Sequence, residues 1–182
     1  MLKSDIICLQ ETSCDQSHGI PVIPGYIFNL AGSGKGKGVA TFIRNEISLD
    51  LQKTEYVERE FAQCIKLQFK DYDVITIYQP YSKVNVRNTE QLTNMLQSLV
   101  NYNKPTVING DFNFDYWKDR KNLLSVKLGI NGFTQIVKEA TTYRGNCIDH
   151  FYIRGFDFVY KLYYPYYTDH EAVQVVLKKL VC

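Results

Sequence analysis

The sequence predicts an α+β fold in which two packed sheets carry helices on their outer faces. Three observations predict it. Short apolar runs of strand length dominate the chain. A single segment has strong helical periodicity. The runs do not alternate with helices as βαβ units do, so one parallel sheet is disfavoured and two sheets packed face to face are favoured.

The elements follow in order. Asp5 to Glu11 is a short apolar run with polar ends, a buried strand that delivers Glu11 at its C-terminal end. Tyr26 to Leu30 reads as a second strand, Gly32 to Gly38 as a flexible turn, and Val39 to Arg44 as a third strand. Cys64 to Phe69 alternates apolar with polar, and Asp73 to Tyr78 is a strand stopped by Pro80. Leu92, Met95, Leu96, Leu99 and Val100 then mark one face of a helix, with Asn88 and Gln91 as its start signal and Pro105 beyond its end. Thr106 to Asn109 is a strand running into Gly110-Asp111-Phe112-Asn113. A weaker helix is expected between Lys118 and Leu128, and late strands at Ile148–Ile153, Phe158–Tyr163 and Ala172–Leu177.

A chain of 182 residues suits one domain, residues 1–182, and no linker, repeat or low-complexity tract divides it. At 45% hydrophobic and 22% charged it is an ordinary folded composition. The net charge of +2 excludes a strongly basic coat, so any attraction to phosphates is local or comes from a bound cation. The five cysteines, Cys8, Cys14, Cys64, Cys147 and Cys182, are scattered without a CxxC pair, which argues for reduced thiols in an intracellular protein. No leader-like apolar region opens the chain and no run of 18 apolar residues occurs, so no membrane association is expected.

Acidic clusters stand at the strand ends: Glu11, Asp111 with Asn113, Asp149 with His150, and Asp169 with His170. Carboxylate and amide oxygens are the donors a hard cation such as Mg²⁺ prefers. Asp111 and Asn113, two residues apart, face one side if the segment is extended. The two Asp-His pairs add proton-transfer groups. Together these groups match metal-assisted attack of water on a phosphate ester. Each acidic residue alone is more often a turn or helix-cap residue than a ligand, and composition and spacing leave the reading at an α/β or α+β domain open to metal chemistry.

Five segments resemble one family. Ile7-Cys8-Leu9-Gln10-Glu11-Thr12 resembles a Leu-Gln-Glu-Thr motif, Gly110-Asp111-Phe112-Asn113 a Gly-Asp-(Phe/Leu)-Asn motif, and Ile148-Asp149-His150 an Ile-Asp-(His/Tyr) strand. Thr168-Asp169-His170 resembles a terminal Ser-Asp-His, and Gly36-Lys37-Gly38-Val39-Ala40 a Gly-Gly-Val-Ala start. Taken in chain order they are similar to the endonuclease/exonuclease/phosphatase (DNase I-like) superfamily, from Asp5 to Leu177. The resemblance implies a four-layer α/β/β/α sandwich of two packed mixed sheets and a Mg²⁺-dependent phosphodiesterase, with Mn²⁺ as substitute. By that resemblance Glu11 is the principal metal ligand, with Asp169 near or in the outer shell. Asp111 aligns or deprotonates the water, and Asn113 fixes the phosphate. His170 binds a phosphate oxygen, and Asp149 orients its ring. Tyr78, in Tyr78-Gln79-Pro80-Tyr81, would donate to the phosphate, although Tyr81 replaces the family's Asn. The family's first strand, with its Asn, has no counterpart before Glu11, so the chain is expected to be poorly active and marginally stable.

Within the family the residues before Gly110 and after Asp149 do not match inositol polyphosphate phosphatases, and the segments after Glu11 and Pro80 do not match apurinic endonucleases. The segments around Tyr78 and Cys147 are most similar to endonuclease domains of mobile elements such as non-LTR retrotransposons or Helitron-type transposons. This implies DNA as the nucleic-acid substrate and a monomeric domain or part of a polyprotein, intracellular and potentially nuclear. The alternatives are a phosphoesterase acting on RNA or a small molecule, and a catalytically impaired binding remnant.

Other signals weigh less. Gly32 to Gly38 fails the phosphate-loop spacing, because Lys37 stands where a glycine is needed. Tyr163, Tyr164, Tyr166 and Tyr167 precede Asp169. Alternate ones, Tyr164 and Tyr166, are expected to fill the sheet core, with base stacking as the alternative. His18 reads as a surface residue, and Arg87, Arg120 and Arg144 as phosphate contacts without a motif.

Overall fold

A computed structural model describes residues 4–14, 21–32, 34–119, 123–166 and 168–180. His18, Arg120, Tyr167 and Cys182 lie outside the described residues. The strands are β1 (Ile6–Gln10), β2 (Tyr26–Ala31), β3 (Val39–Arg44), β4 (Leu51–Arg59), β5 (Ala62–Phe69), β6 (Asp73–Tyr78), β7 (Thr106–Asp111), β8 (Thr134–Gln135), β9 (Asp149–Arg154), β10 (Phe156–Tyr163) and β11 (Ala172–Lys179). The α-helices are α1 (Asn45–Ser48), α2 (Val86–Leu99), α3 (Tyr116–Asp119) and α4 (Leu123–Ile130).

Six strands make the main sheet, in the order β4-β5-β6-β7-β9-β8. Only β6 and β7 run parallel in it, and α2 is the crossover between them. The facing layer is in two parts, an antiparallel sheet β1-β3-β2 and a β10–β11 hairpin. Strand alternation sorts the apolar residues into two cores. Cys64, Ile75, Ile77 and Ile108 face the helices and pack with Leu92 and Leu96 of α2 and Leu124 and Leu128 of α4. Ile65, Leu67, Val74, Tyr78 and Val107 face the smaller sheets, meeting Val39 and Ile43 of β3 and partly buried Val173 and Val175 of β11. This is the predicted α+β sandwich, with two β-layers and helices outside.

Three local differences have physical causes. Helix α2 starts before Asn88, because the Asn85 side chain accepts the Asn88 N–H at 2.9 Å and caps the helix, an interaction typically worth about 1 kcal/mol. Strand β4 escapes sequence reading because Leu-Gln-Lys-Thr-Glu-Tyr-Val-Glu-Arg is charged and mostly half-buried or exposed, as suits an edge strand. The weaker helix resolves into α3 and α4. Gly110 in β7 has φ +142°, and a Cβ there would lie 1.9 Å from the Ile77 carbonyl oxygen. No other residue fits this contact of β7 with β6. Among the described residues no helix is long and apolar enough to cross a membrane.

Candidate active site

The site forms where β6 and β7 end and β9 begins. Register sets Tyr78 beside Asp111, and Asp111 beside Asp149, so three adjacent strands present these side chains in one row. Tyr78 belongs to the core that faces the smaller sheets. The segment after β10 brings His170 alongside through a bridge to Thr142. Donor atoms of Asp111, Asp149 and His170 all lie within 4.8 Å of one another.

Asp111 is buried, at 3% exposure. Burial, then the neighbouring Asp149 charge, push its carboxyl up to about 8. The loop after β7 holds this carboxylate at both oxygens: the Asn113 N–H donates to Oδ1 at 2.8 Å and its side-chain amide to Oδ2 at 3.0 Å. The same amide reaches the Gln79 carbonyl at 2.9 Å. The sequence expectation placed Asp111 and Asn113 on one side of an extended segment. Asn113 instead has φ +55°, so the chain turns and the amide folds back onto Asp111.

His170 Nδ1 lies 2.9 Å from Oδ2 of Asp149. That hydrogen bond, outweighing burial, pushes the imidazole up to about 9. Asp149 is itself braced by Thr141, a fully buried residue whose hydroxyl accepts the N–H groups of Ile148 and Asp149, each at 3.1 Å. Sequence reading missed Thr141, since a satisfied hydroxyl beside a strand has no motif.

Glu11 follows β1 with φ +50° and accepts a hydrogen bond from the Tyr78 hydroxyl, which also faces the Gly36 carbonyl at 3.1 Å. Burial and the Glu11 carboxylate push the Tyr78 phenol upward, so it stays protonated and can donate. Tyr78 therefore ties the end of β1 and the glycine-lysine turn to the row of acids. Asp169 is exposed, and its carbonyl accepts the Tyr143 N–H at 3.2 Å. Among the described residues, the convergent group contains Asp111, Asp149 and His170, with Glu11 alongside at Tyr78 and Asp169 at the rim.

One expectation is corrected. His150 adds no proton-transfer group to the site. It alternates to the opposite face from Asp149 and is buried against Phe112, Phe114, Tyr116 and Tyr152. Its Nε2 donates to the carbonyls of Phe114 at 3.0 Å and Cys147 at 3.1 Å, and Nδ1 faces the Tyr152 hydroxyl at 3.2 Å. Burial lowers it to about 4, so it is neutral. A second correction concerns Tyr164 and Tyr166, expected in the core. They are 77% and 106% exposed, because β10 ends at Tyr163 and strand alternation stops there.

Two carboxylates and an imidazole whose donor atoms lie within 4.8 Å of one another crowd like charges together, and a divalent cation would relieve that repulsion. The oxygen-rich donor set, with Glu11 beside it, fits a hard ion such as Mg²⁺ or Mn²⁺.

The model of the endonuclease/exonuclease/phosphatase family matches residues 1–170. No curated protein sequence gives a significant match. Similar solved structures include an AP endonuclease from Archaeoglobus fulgidus, 19% identical with TM-score 0.69, covering 95% of this chain and 88% of that one. A 3'-5' exonuclease (NExo) from Neisseria meningitidis is 18% identical with TM-score 0.69, covering 95% and 89%. The endonuclease domain of TRAS1, a telomere-specific non-LTR retrotransposon, is 13% identical with TM-score 0.63, covering 97% and 86%. These likenesses are of fold, which is DNase I-like.

Proposed function

The chain belongs to the endonuclease/exonuclease/phosphatase family, and from that premise we propose that it is a Mg²⁺-dependent phosphodiesterase acting as an endonuclease on DNA. The observation that carries the reading is the convergence of Asp111, Asp149 and His170 at the ends of three elements of the sandwich. Asp111, Asp149 and Glu11 are the residues that would hold Mg²⁺, with Asp169 at the outer rim. When bound, the ion supplies positive charge against the phosphate oxygens.

The remaining roles follow from the geometry. Asp111, held at both oxygens by Asn113, presents a fixed carboxylate that aligns the attacking water. His170, kept protonated by Asp149, offers an N–H to the charge that develops on a phosphate oxygen. Tyr78 orients Glu11 and stands within the same row for a phosphate. The choice of DNA rests on the motifs around Tyr78 and Cys147 and on structural neighbours that include a retrotransposon endonuclease domain.

The experiment is a supercoiled-plasmid nicking assay with Mg²⁺, with Mn²⁺ and with chelator, run on the chain and on Asp111→Ala and His170→Ala. Nicking that needs the cation and is lost in both variants supports the reading. Nicking that persists in chelator or in Asp111→Ala would falsify it.

A further inference from the structure

We propose that Tyr143, Tyr164 and Tyr166 form a base-stacking rim beside His170, so that the site takes a nucleic-acid strand whose bases are unpaired. The inference rests on the phosphodiesterase reading for the location of the reacting phosphate, and adds the substrate class. The three rings are 71%, 77% and 106% exposed. Tyr143 is placed by the contacts around His170. Thr142 bridges His170, the Tyr143 N–H donates to the Asp169 carbonyl at 3.2 Å, and the Glu171 N–H donates to the Thr141 carbonyl at 2.8 Å. Tyr143 thus flanks Asp169 and His170 on one side. The Tyr164 hydroxyl bonds to Glu171, which sets the second ring against the residue that follows His170. Tyr166 stands between them in sequence, on the connection from β10 to β11.

The rim also carries a cation. The Arg144 guanidinium lies 5.4 Å from the Tyr143 ring centroid, and its Nε is 3.0 Å from that hydroxyl. Exposed aromatic faces with an adjacent arginine are what a single strand uses: bases stack on rings, and the backbone phosphates meet the cation. In a duplex both faces of every base are already covered by its neighbours, so these rings gain nothing without unstacking. The net charge of +2 points the same way, since backbone attraction alone leaves little affinity at ordinary salt.

The test is fluorescence anisotropy in chelator with three labelled probes: an oligothymidylate, a strand of equal length whose nucleotides lack bases, and a hairpin duplex. The oligothymidylate is expected to bind roughly ten-fold or more tightly than either of the others. Tyr164→Ala and Tyr166→Ala each weaken oligothymidylate binding roughly ten-fold and leave the base-free strand unaffected, whereas Tyr166→Phe keeps the affinity because the ring suffices. Tyr56→Ala, a half-exposed tyrosine on β4, changes nothing. Equal affinity for the thymidylate and base-free strands, or alanine variants that lose both alike, overturns the stacking rim. Tyr166 is fully solvated, so its substitution does not disturb the fold. Failure of the enzymatic reading is separable: a chain that binds oligothymidylate by its tyrosines but, with Mg²⁺, cleaves neither oligothymidylate nor plasmid keeps the rim and loses the phosphodiesterase.

Discussion

Nδ1 of His170 and Oδ2 of Asp149 are 2.9 Å apart, although twenty residues, strand β10 among them, separate them in the chain. The pairing makes His170 a cation up to about pH 9. Asp149→Asn removes the charge and leaves a neutral acceptor. The alkaline limb of the pH–kcat/KM profile is expected to move toward neutrality by about one to three pH units, the usual effect of losing an adjacent opposite charge. An alkaline limb that stays in place in this variant shows that His170 does not act as a cation.

Tyr78→Phe deletes one oxygen and releases both Glu11 and the Gly36 carbonyl. Groups that orient a metal ligand typically account for about 10- to 100-fold in metal affinity or activity. The expected result is a rise of that size in the Mg²⁺ concentration giving half-maximal nicking, with the melting temperature nearly unchanged. A variant with unaltered Mg²⁺ dependence places Tyr78 on the phosphate alone.

The residues of the site were legible because they end strands. Glu11, Asp111 and Asp149 each follow or open an apolar run, and the register of β6, β7 and β9 turns that linear fact into one row. What escaped reading has physical reasons. Strand β4 is a charged edge, and such strands lack the alternation that betrays a half-buried one. Thr141 acts through a hydroxyl that accepts two backbone N–H groups, which no spacing announces. His150 sits next to Asp149 in sequence but on the other face, and strand alternation alone contains that answer. Tyr164 and Tyr166 followed an alternating pattern past the end of β10, where it no longer reports burial.

His150→Phe keeps the stack on Phe112, whose ring centroid is 4.8 Å away, but leaves the Phe114 carbonyl without its His150 donor, while the Cys147 carbonyl keeps the Tyr116 N–H at 2.8 Å. A buried acceptor that loses its partner costs about 1–3 kcal/mol. The loop from Phe112 to Tyr116 carries Asn113 and is pinned to the start of β9 by this ring. Chemical denaturation is expected to show the loss, and kcat to fall with KM little changed, because Asn113 no longer holds the Asp111 carboxylate as firmly. A stable variant with wild-type kcat removes the positioning role.

The pH dependence of stability follows from three groups, without any cation. Asp111, ordinarily near 3.8, is raised to about 8, and His170, ordinarily 6.5, to about 9. Both bind more protons folded than unfolded. Their stabilising contributions are complete below the unfolded values and are lost as pH rises through the folded ones. His150 has the opposite sign: it is lowered to about 4, so it destabilises the fold as pH falls from 6.5 toward 4 and offsets Asp111 there. Above 6.5 nothing offsets the decline. The melting temperature in chelator is therefore expected to fall steadily between pH 6.5 and 9. Mg²⁺ binds the deprotonated acids, so its stabilising effect grows over the same range. Asp111→Asn removes the repulsion and the titration together: it should melt higher than the parent at pH 8 in chelator, lose most of the Mg²⁺ response, and be inactive. A flat melting profile in chelator, or an Asp111→Asn variant that melts lower at pH 8, means that Asp111 and Asp149 do not share the buried site.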